Sequence, residues 1–111
     1  MSVPLDQAKS ELFRALGHPV HIRVLELLED GPKTVRQLLD TMAIEASRLS
    51  QQLAVLRGTG LVVAKRDGNT VEYSLSADEV TDLLRTARQV LTHLALGQGL
   101  LLAELCVEHA S

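Results

Sequence analysis

Four side chains within five residues raise the first chemical question. Ser47, Arg48, Ser50 and Gln51 lie in the stretch EASRLSQQLAVLR, residues 45–57. Leu49, Leu53 and Leu56 recur there at helical spacing and form an apolar stripe on the other side. An ordinary surface helix carries many Glu–Lys pairs; this one has a single acid, Glu45, at its start. Arg can donate two hydrogen bonds to O6 and N7 of guanine, and Gln can pair with N6 and N7 of adenine. Ser suits a phosphate or either base. The pattern is that of a helix docked by its leucines and holding out a face whose groups match base edges and phosphates. The plain alternative is a solvated polar face.

Charge layout favours the first reading. Residues 33–66 hold six basic side chains against two acidic ones, a local excess of four positive charges in a chain whose net charge is −3. Contact with a polyanion is governed by such local charge rather than by the total. Lys65 and Arg66, with Asn69 and Thr70 across a turn, can straddle a phosphate or enter a minor groove. Thr34 and Arg36, with Lys33 beside them, open an earlier helix and suit phosphate contacts. The alternative for Lys65 and Arg66 is a hairpin tip kept polar for solubility.

Other chemistries find little support. No nucleophile–base set, phosphate-cradling glycine loop or paired carboxylates are recognisable, so an enzyme is not expected. Single-stranded nucleic acids are gripped by stacking on aromatic side chains, and this chain has only Phe13 and Tyr73, both expected in the core. One cysteine, Cys106, excludes an internal disulfide framework. His18 and His21 are three apart, as are Cys106 and His109. Either pair could share a metal, or Cys106 could act in redox chemistry, but two ligands without a third make a poor site. No cofactor or metal is expected. No apolar run has the ~18 residues of a membrane span, and the N-terminal stretch has no signal-peptide pattern, so no membrane association and a cytoplasmic location are expected.

The elements that must position these residues follow from period and punctuation. LDQAKSELFRAL (5–16) puts Leu5, Ala8, Leu12, Phe13 and Leu16 on one helical face. Gly17 ends it, and Pro19 opens a second helix with Val20, Val24, Leu27 and Leu28 inward. EDGPK (29–33) is a turn. Thr34 is an N-cap for a short helix to about Met42, with Val35, Leu38 and Leu39 inward. A tight connection, residues 43–46, leads into the helix of 45–57. The period then changes to that of two short strands around Asp67-Gly68-Asn69, with Val71, Tyr73 and Leu75 alternating against Thr70, Glu72 and Ser74. From Ala77 the helical period returns to about Leu96, and LLLAELCVEHA adds a last helical piece. Two helices joined by a short turn and followed directly by a basic hairpin make the plan of a winged helix-turn-helix.

With those residues in view, the chain resembles the ArsR/SmtB-type winged helix-turn-helix repressors. The likeness is carried by LFRALGHPVHIRVLELL (12–28), TVRQLLDTMAIEASRLSQQLAVLRGTGLV (34–62) and KRDGNTVEYSL (65–75). The resemblance implies a mainly α, α+β fold of about five to six helices with one β-hairpin wing. It also implies a homodimeric bacterial repressor that binds double-stranded DNA at a palindromic operator and lets go when an effector arrives. It makes Gln52, where many members carry His, a supporting residue rather than a reading one. Family sensors often bind metal through Cys-x-Cys on the first helix of the motif, which here reads TVRQLLD without cysteine. Others use Asp-x-His and His-x-x-Glu on the long helix; here Asp82 is followed by Leu84 and His93 by Leu96 at those positions. The effector is therefore left open.

One domain spanning 1–111 is expected, with 1–16 and 77–109 supplying dimerisation helices. Leu83, Leu84, Ala87, Val90, Leu91 and Leu94 form a wider apolar stripe than a single small chain needs, and Leu5, Leu12 and Phe13 can join it. A two-fold dimer would set two reading helices one DNA turn, about 34 Å, apart. The competing function is a winged helix used as a protein–protein module, for which the polar face of 45–57 would be dispensable.

Overall fold

The structure, a computed structural model, describes residues 4–97. The last helical piece expected from sequence, and with it Cys106 and His109, lies outside the described residues. In chain order the elements are α1 (Leu5–Leu16), α2 (Pro19–Leu28), β1 (Lys33–Thr34), α3 (Val35–Thr41), α4 (Ala46–Thr59), β2 (Val62–Asp67), β3 (Thr70–Leu75) and α5 (Asp78–Gly97). Two compact units are distinguished, divided between Thr81 and Asp82 within α5.

The first unit is built around α4. Leu49, Leu53 and Leu56 of α4 are fully buried, together with Val24 and Leu25 of α2, Leu38 of α3 and, almost fully, Val62 of β2. These are long or branched apolar side chains drawn from four elements, and their removal from water is the main stabilising term. The inward face of α2 is Val24, Leu25 and Leu28 with His21, so Val20 and Leu27, expected inside, are only half-buried. Phe13 is 62% exposed, which corrects its expected place in the core; Tyr73 is half-buried.

The wing is more than a hairpin. β1 adds a third strand to the sheet, in the antiparallel order β1-β3-β2, with Lys33 opposite Tyr73 and Thr34 opposite Glu72. β3 is therefore the central strand. Its residues from Val71 to Leu75 are all half-buried, and the inside–outside alternation expected from sequence is not seen in their burial. The β2–β3 turn closes with Gly68 at φ +63°, a conformation that glycine adopts without Cβ strain.

Thr34 also starts α3. Its Oγ1 accepts from the Gln37 N–H at 3.2 Å, and its own N–H donates to Gln37 Oε1 at 2.9 Å. This reciprocal pair is a capping box. Thr34→Ala is expected to destabilise the fold by about 1 kcal/mol. That would appear as a fall in melting temperature of roughly 4 °C, measured by circular dichroism; an unchanged melting curve would show that the box contributes nothing.

Candidate nucleic-acid interface

The polar face expected from sequence is exposed and rigidly backed. Ser47, Arg48, Ser50 and Gln51 are all exposed on the first two turns of α4. Their three- and four-residue spacings make them neighbours on one helix surface. Directly behind them Leu49 and Leu53 are fully buried, and α4 packs on α2 and α3. The N-cap residue Glu45 makes no side-chain capping bond, so no side chain caps the first-turn N–H groups at that end. At the far end Thr59 Oγ1 donates to the Leu56 carbonyl at 2.6 Å and accepts from the Leu61 N–H at 3.2 Å. Gly60 follows with φ +83° and turns the chain into β2, a left-handed ending typical of helix C-termini.

Gln52 faces inward rather than outward with its neighbours. It is half-buried, and its Oε1 lies 2.6 Å from Nε2 of His21. His21 is 4% exposed, and its Nδ1 donates to the Ala15 carbonyl at 3.2 Å. His18 caps α2, its Nδ1 accepting from the Val20 N–H at 3.2 Å. The two imidazoles stack with centroids 4.4 Å apart and planes 20° from parallel. Both nitrogens of His21 and the Nδ1 of His18 are thus committed within the protein, and the three-residue spacing serves packing. Among the described residues no three His, Cys, Asp or Glu side chains cluster as metal ligands.

The remaining predicted contacts divide between α3 and the wing. Arg36 is exposed on the first turn of α3, whereas Thr34 is half-buried with its hydroxyl engaged in the capping box. Lys65, Arg66, Asn69 and Thr70 are all exposed. Register separates the two cations, because successive strand residues face opposite ways. Lys65 stands opposite Glu72, and Arg66 opposite Val71. The acid opposite Lys65 was visible in the sequence, but only the register shows that the two share a face.

The residues expected at a dimer interface are unevenly available. On α1, Leu5 is 70% and Phe13 62% exposed, and Leu12 is half-buried. On α5, Val90, Leu91 and Leu94 are about half exposed, Ala87 is exposed, Leu83 is half-buried and Leu84 is buried in the single chain. No helix of the described residues is long and apolar enough to cross a membrane.

Comparison with known proteins fits this arrangement. Residues 18–63 match the model of the bacterial regulatory proteins of the arsR family. The uncharacterized HTH-type transcriptional regulator Rv0081 of Mycobacterium tuberculosis is 48% identical over 91 residues, covering 81% of this chain and 80% of that one. Its crystal structure superposes with a TM-score of 0.80 over 87% of this chain and 98% of that chain. The HTH-type transcriptional regulator NmtR of the same organism is 40% identical over 100 residues, 86% of this chain and 83% of the relative. A homodimeric winged helix-turn-helix DNA-binding domain from Mycobacterium bovis, at 22% identity, shares the fold with a TM-score of 0.73 over 83% of this chain and 91% of that chain. The chain belongs to the arsR family of bacterial regulatory proteins: it is a DNA-binding transcription regulator of winged helix-turn-helix fold, and not an enzyme.

Proposed function

We propose that the protein is a homodimeric repressor that grips a two-fold operator, with the N-terminal half of α4 in each major groove and each wing on the flanking backbone. The observation that carries this reading is the face of α4: four exposed hydrogen-bonding side chains over fully buried leucines. Arg48 and Gln51 read base edges, and Ser47 and Ser50 meet phosphates or bases. The first-turn N–H groups of α4, free of a side-chain cap, suit a phosphate oxygen. Arg36 contacts the backbone from α3, while Thr34 serves that contact by starting the helix. Lys65, Arg66, Asn69 and Thr70 form the wing contact. The exposed apolar residues of α1 and α5 form the dimer, so residues 1–111 act as one DNA-binding unit doubled by a two-fold axis. Work on the chromosome of a bacterium puts the protein in the cytoplasm. No effector is assigned: α3 and α5 lack the metal-ligand patterns of the family's metal sensors.

The test is fluorescence anisotropy of the purified protein with labelled duplex from its own upstream region, across a salt series and against unrelated duplex. Two protomers per site, a preference over unrelated DNA and a steep negative salt slope are expected. Equal binding to every duplex, including those selected from a random pool, would overturn the reading in favour of a protein-binding winged helix.

The wing gives a graded prediction. Arg66→Ala should weaken binding to all sequences alike. It should also make the salt slope shallower by about one for each phosphate left without its cation, hence by about two per dimer. Lys65→Ala should have the smaller effect, because Glu72 opposite it already offsets part of its charge. Equal effects would show that the cross-strand acid is irrelevant on DNA, and no effect from either would remove the wing from the interface.

A further inference from the structure

His21 and Gln52 connect the reading helix to the end of α1. Ala15 lies in the last turn of α1, where carbonyls lack helical partners, and its oxygen accepts from the His18 N–H at 3.3 Å as well as from His21. A carbonyl can only accept, so the Nδ1–H of His21 is fixed as a donor and the ring orientation with it. Nε2 is then aimed at Gln52. The amide meets Nε2–H with its oxygen or, after a half-turn, meets an unprotonated Nε2 with its NH2, so the tie holds in either protonation form of the ring. Beside this pair a cleft of about 290 Å³ opens, lined by Glu11 and Arg14 of α1, His18 at the N-cap of α2, and Val55 and Thr59 of α4. α1 and α4 also pack against each other, and at this cleft the imidazole ties Ala15 of α1 to Gln52 of α4. A hydrogen bond also has a direction, which apolar packing lacks. A bond from the core to Gln52 therefore adds a directional restraint to the rotation of α4 that the buried Leu49, Leu53 and Leu56 already set, and with it to the aim of Arg48 and Gln51.

We infer that His21 is a positioning residue for DNA reading: it links the last turn of α1 to Gln52 and so sets how α4 presents its reading side chains. The inference rests on the proposed operator contacts of α4. It makes α1, a helix of the proposed dimer, mechanically continuous with the reading helix, so a shift in α1 is felt at the base edges.

The experiment is a double-mutant cycle with His21→Leu, Gln52→Leu and both together, read by anisotropy on the tightest duplex the wild-type protein selects from a random pool. Melting curves are recorded in parallel. Each single substitution is expected to lower affinity for that duplex about five- to tenfold, because a less restrained α4 must be ordered on binding, with a smaller effect on unrelated duplex. The double variant should be no worse than either single one, as for two partners of one bond. His21→Gln, whose amide nitrogen can reach the place of Nε2, should recover part of the affinity that His21→Leu forfeits, because it keeps the bond to Gln52 but not the one to Ala15. That rescue separates positioning from mere filling of the core. Additive effects, failure of His21→Gln to rescue, or unchanged affinity in Gln52→Leu would each overturn the inference. Should His21→Leu fail to fold, the comparison of Gln52→Leu with His21→Gln still decides it. Arg48→Ala is measured alongside: if it too leaves binding unchanged, the operator contacts of α4 are wrong, and if it alone weakens binding, only the positioning role fails.

Discussion

Arg48→Ala is expected to lower affinity for the operator about thirtyfold or more while leaving the melting temperature unchanged. Arg48 is exposed in the first turn of α4 and carries no part of the core, so truncation removes a fork of donors and little packing. A good bidentate pairing with guanine is worth about 1–3 kcal/mol of discrimination. A two-fold complex forfeits that pairing twice, which gives at least about 2 kcal/mol, or thirtyfold. The signature is its sequence dependence. In a panel of duplexes substituted one base pair at a time, the variant should become indifferent at one position in each half-site and keep its preferences elsewhere. A phosphate contact would instead lower binding to every duplex by the same factor and reduce the salt slope. The panel therefore tells a reading arginine from an anchoring one, and an unchanged profile with unchanged affinity would put Arg48 outside the interface.

Such a sharp prediction is possible because the exposed polar face of α4 was legible from local pattern. The leucines at 49, 53 and 56 mark the buried face of α4 by period alone, and the polar side follows by exclusion. The wing was legible for a similar reason: the switch from helical to alternating period at residue 61 or so, with Gly68 at the turn, is a short-range signal. β1 was not. It has two residues, too few for any period, and it is a strand only because the edge of β3, about forty residues on, offers it partners. That unseen neighbour makes β3 the central strand. His21 failed in a different way. A three-residue spacing from His18 places two rings side by side on a helix, and that suits stacking as well as it suits a metal. What decides is the carbonyl of Ala15 and the amide of Gln52, and the latter is 31 residues away in the chain. The apolar stripes of α1 and α5 lay between these cases. Period identified them, but period cannot say whether a stripe faces its own core or a second copy, and the structure sorts them: Leu84 is buried in the single chain, whereas Leu5, Phe13, Val90, Leu91 and Leu94 remain in water.

That residual exposure leads to the largest expected effect. Leu91→Glu should convert the protein into a folded monomer and lower operator affinity on the order of a thousandfold, the typical distance between specific and non-specific binding. Leu91 is 51% exposed in the single chain, so a carboxylate there remains hydrated and the protomer need not unfold. At a two-fold interface the same carboxylate would be buried without a partner, once from each protomer, and the burial of the exposed half of each leucine, roughly 1 kcal/mol per side chain, would be removed twice. Sedimentation equilibrium reads the assembly directly, and the far-ultraviolet spectrum reports whether the helices survive. Gln89→Glu is the control, since it adds the same charge at an exposed polar position two residues earlier on α5 and should leave dimer and affinity intact. The large effect follows from geometry rather than from any contact of Leu91 with DNA. Two reading helices on one rigid dimer meet both half-sites in a single event, whereas separate protomers must each bind on the strength of one. A monomeric Leu91→Glu protein that still held the operator with wild-type affinity would mean that each protomer reads its site alone, and the two-fold complex would have to be abandoned even if Arg48 proved to be its reader.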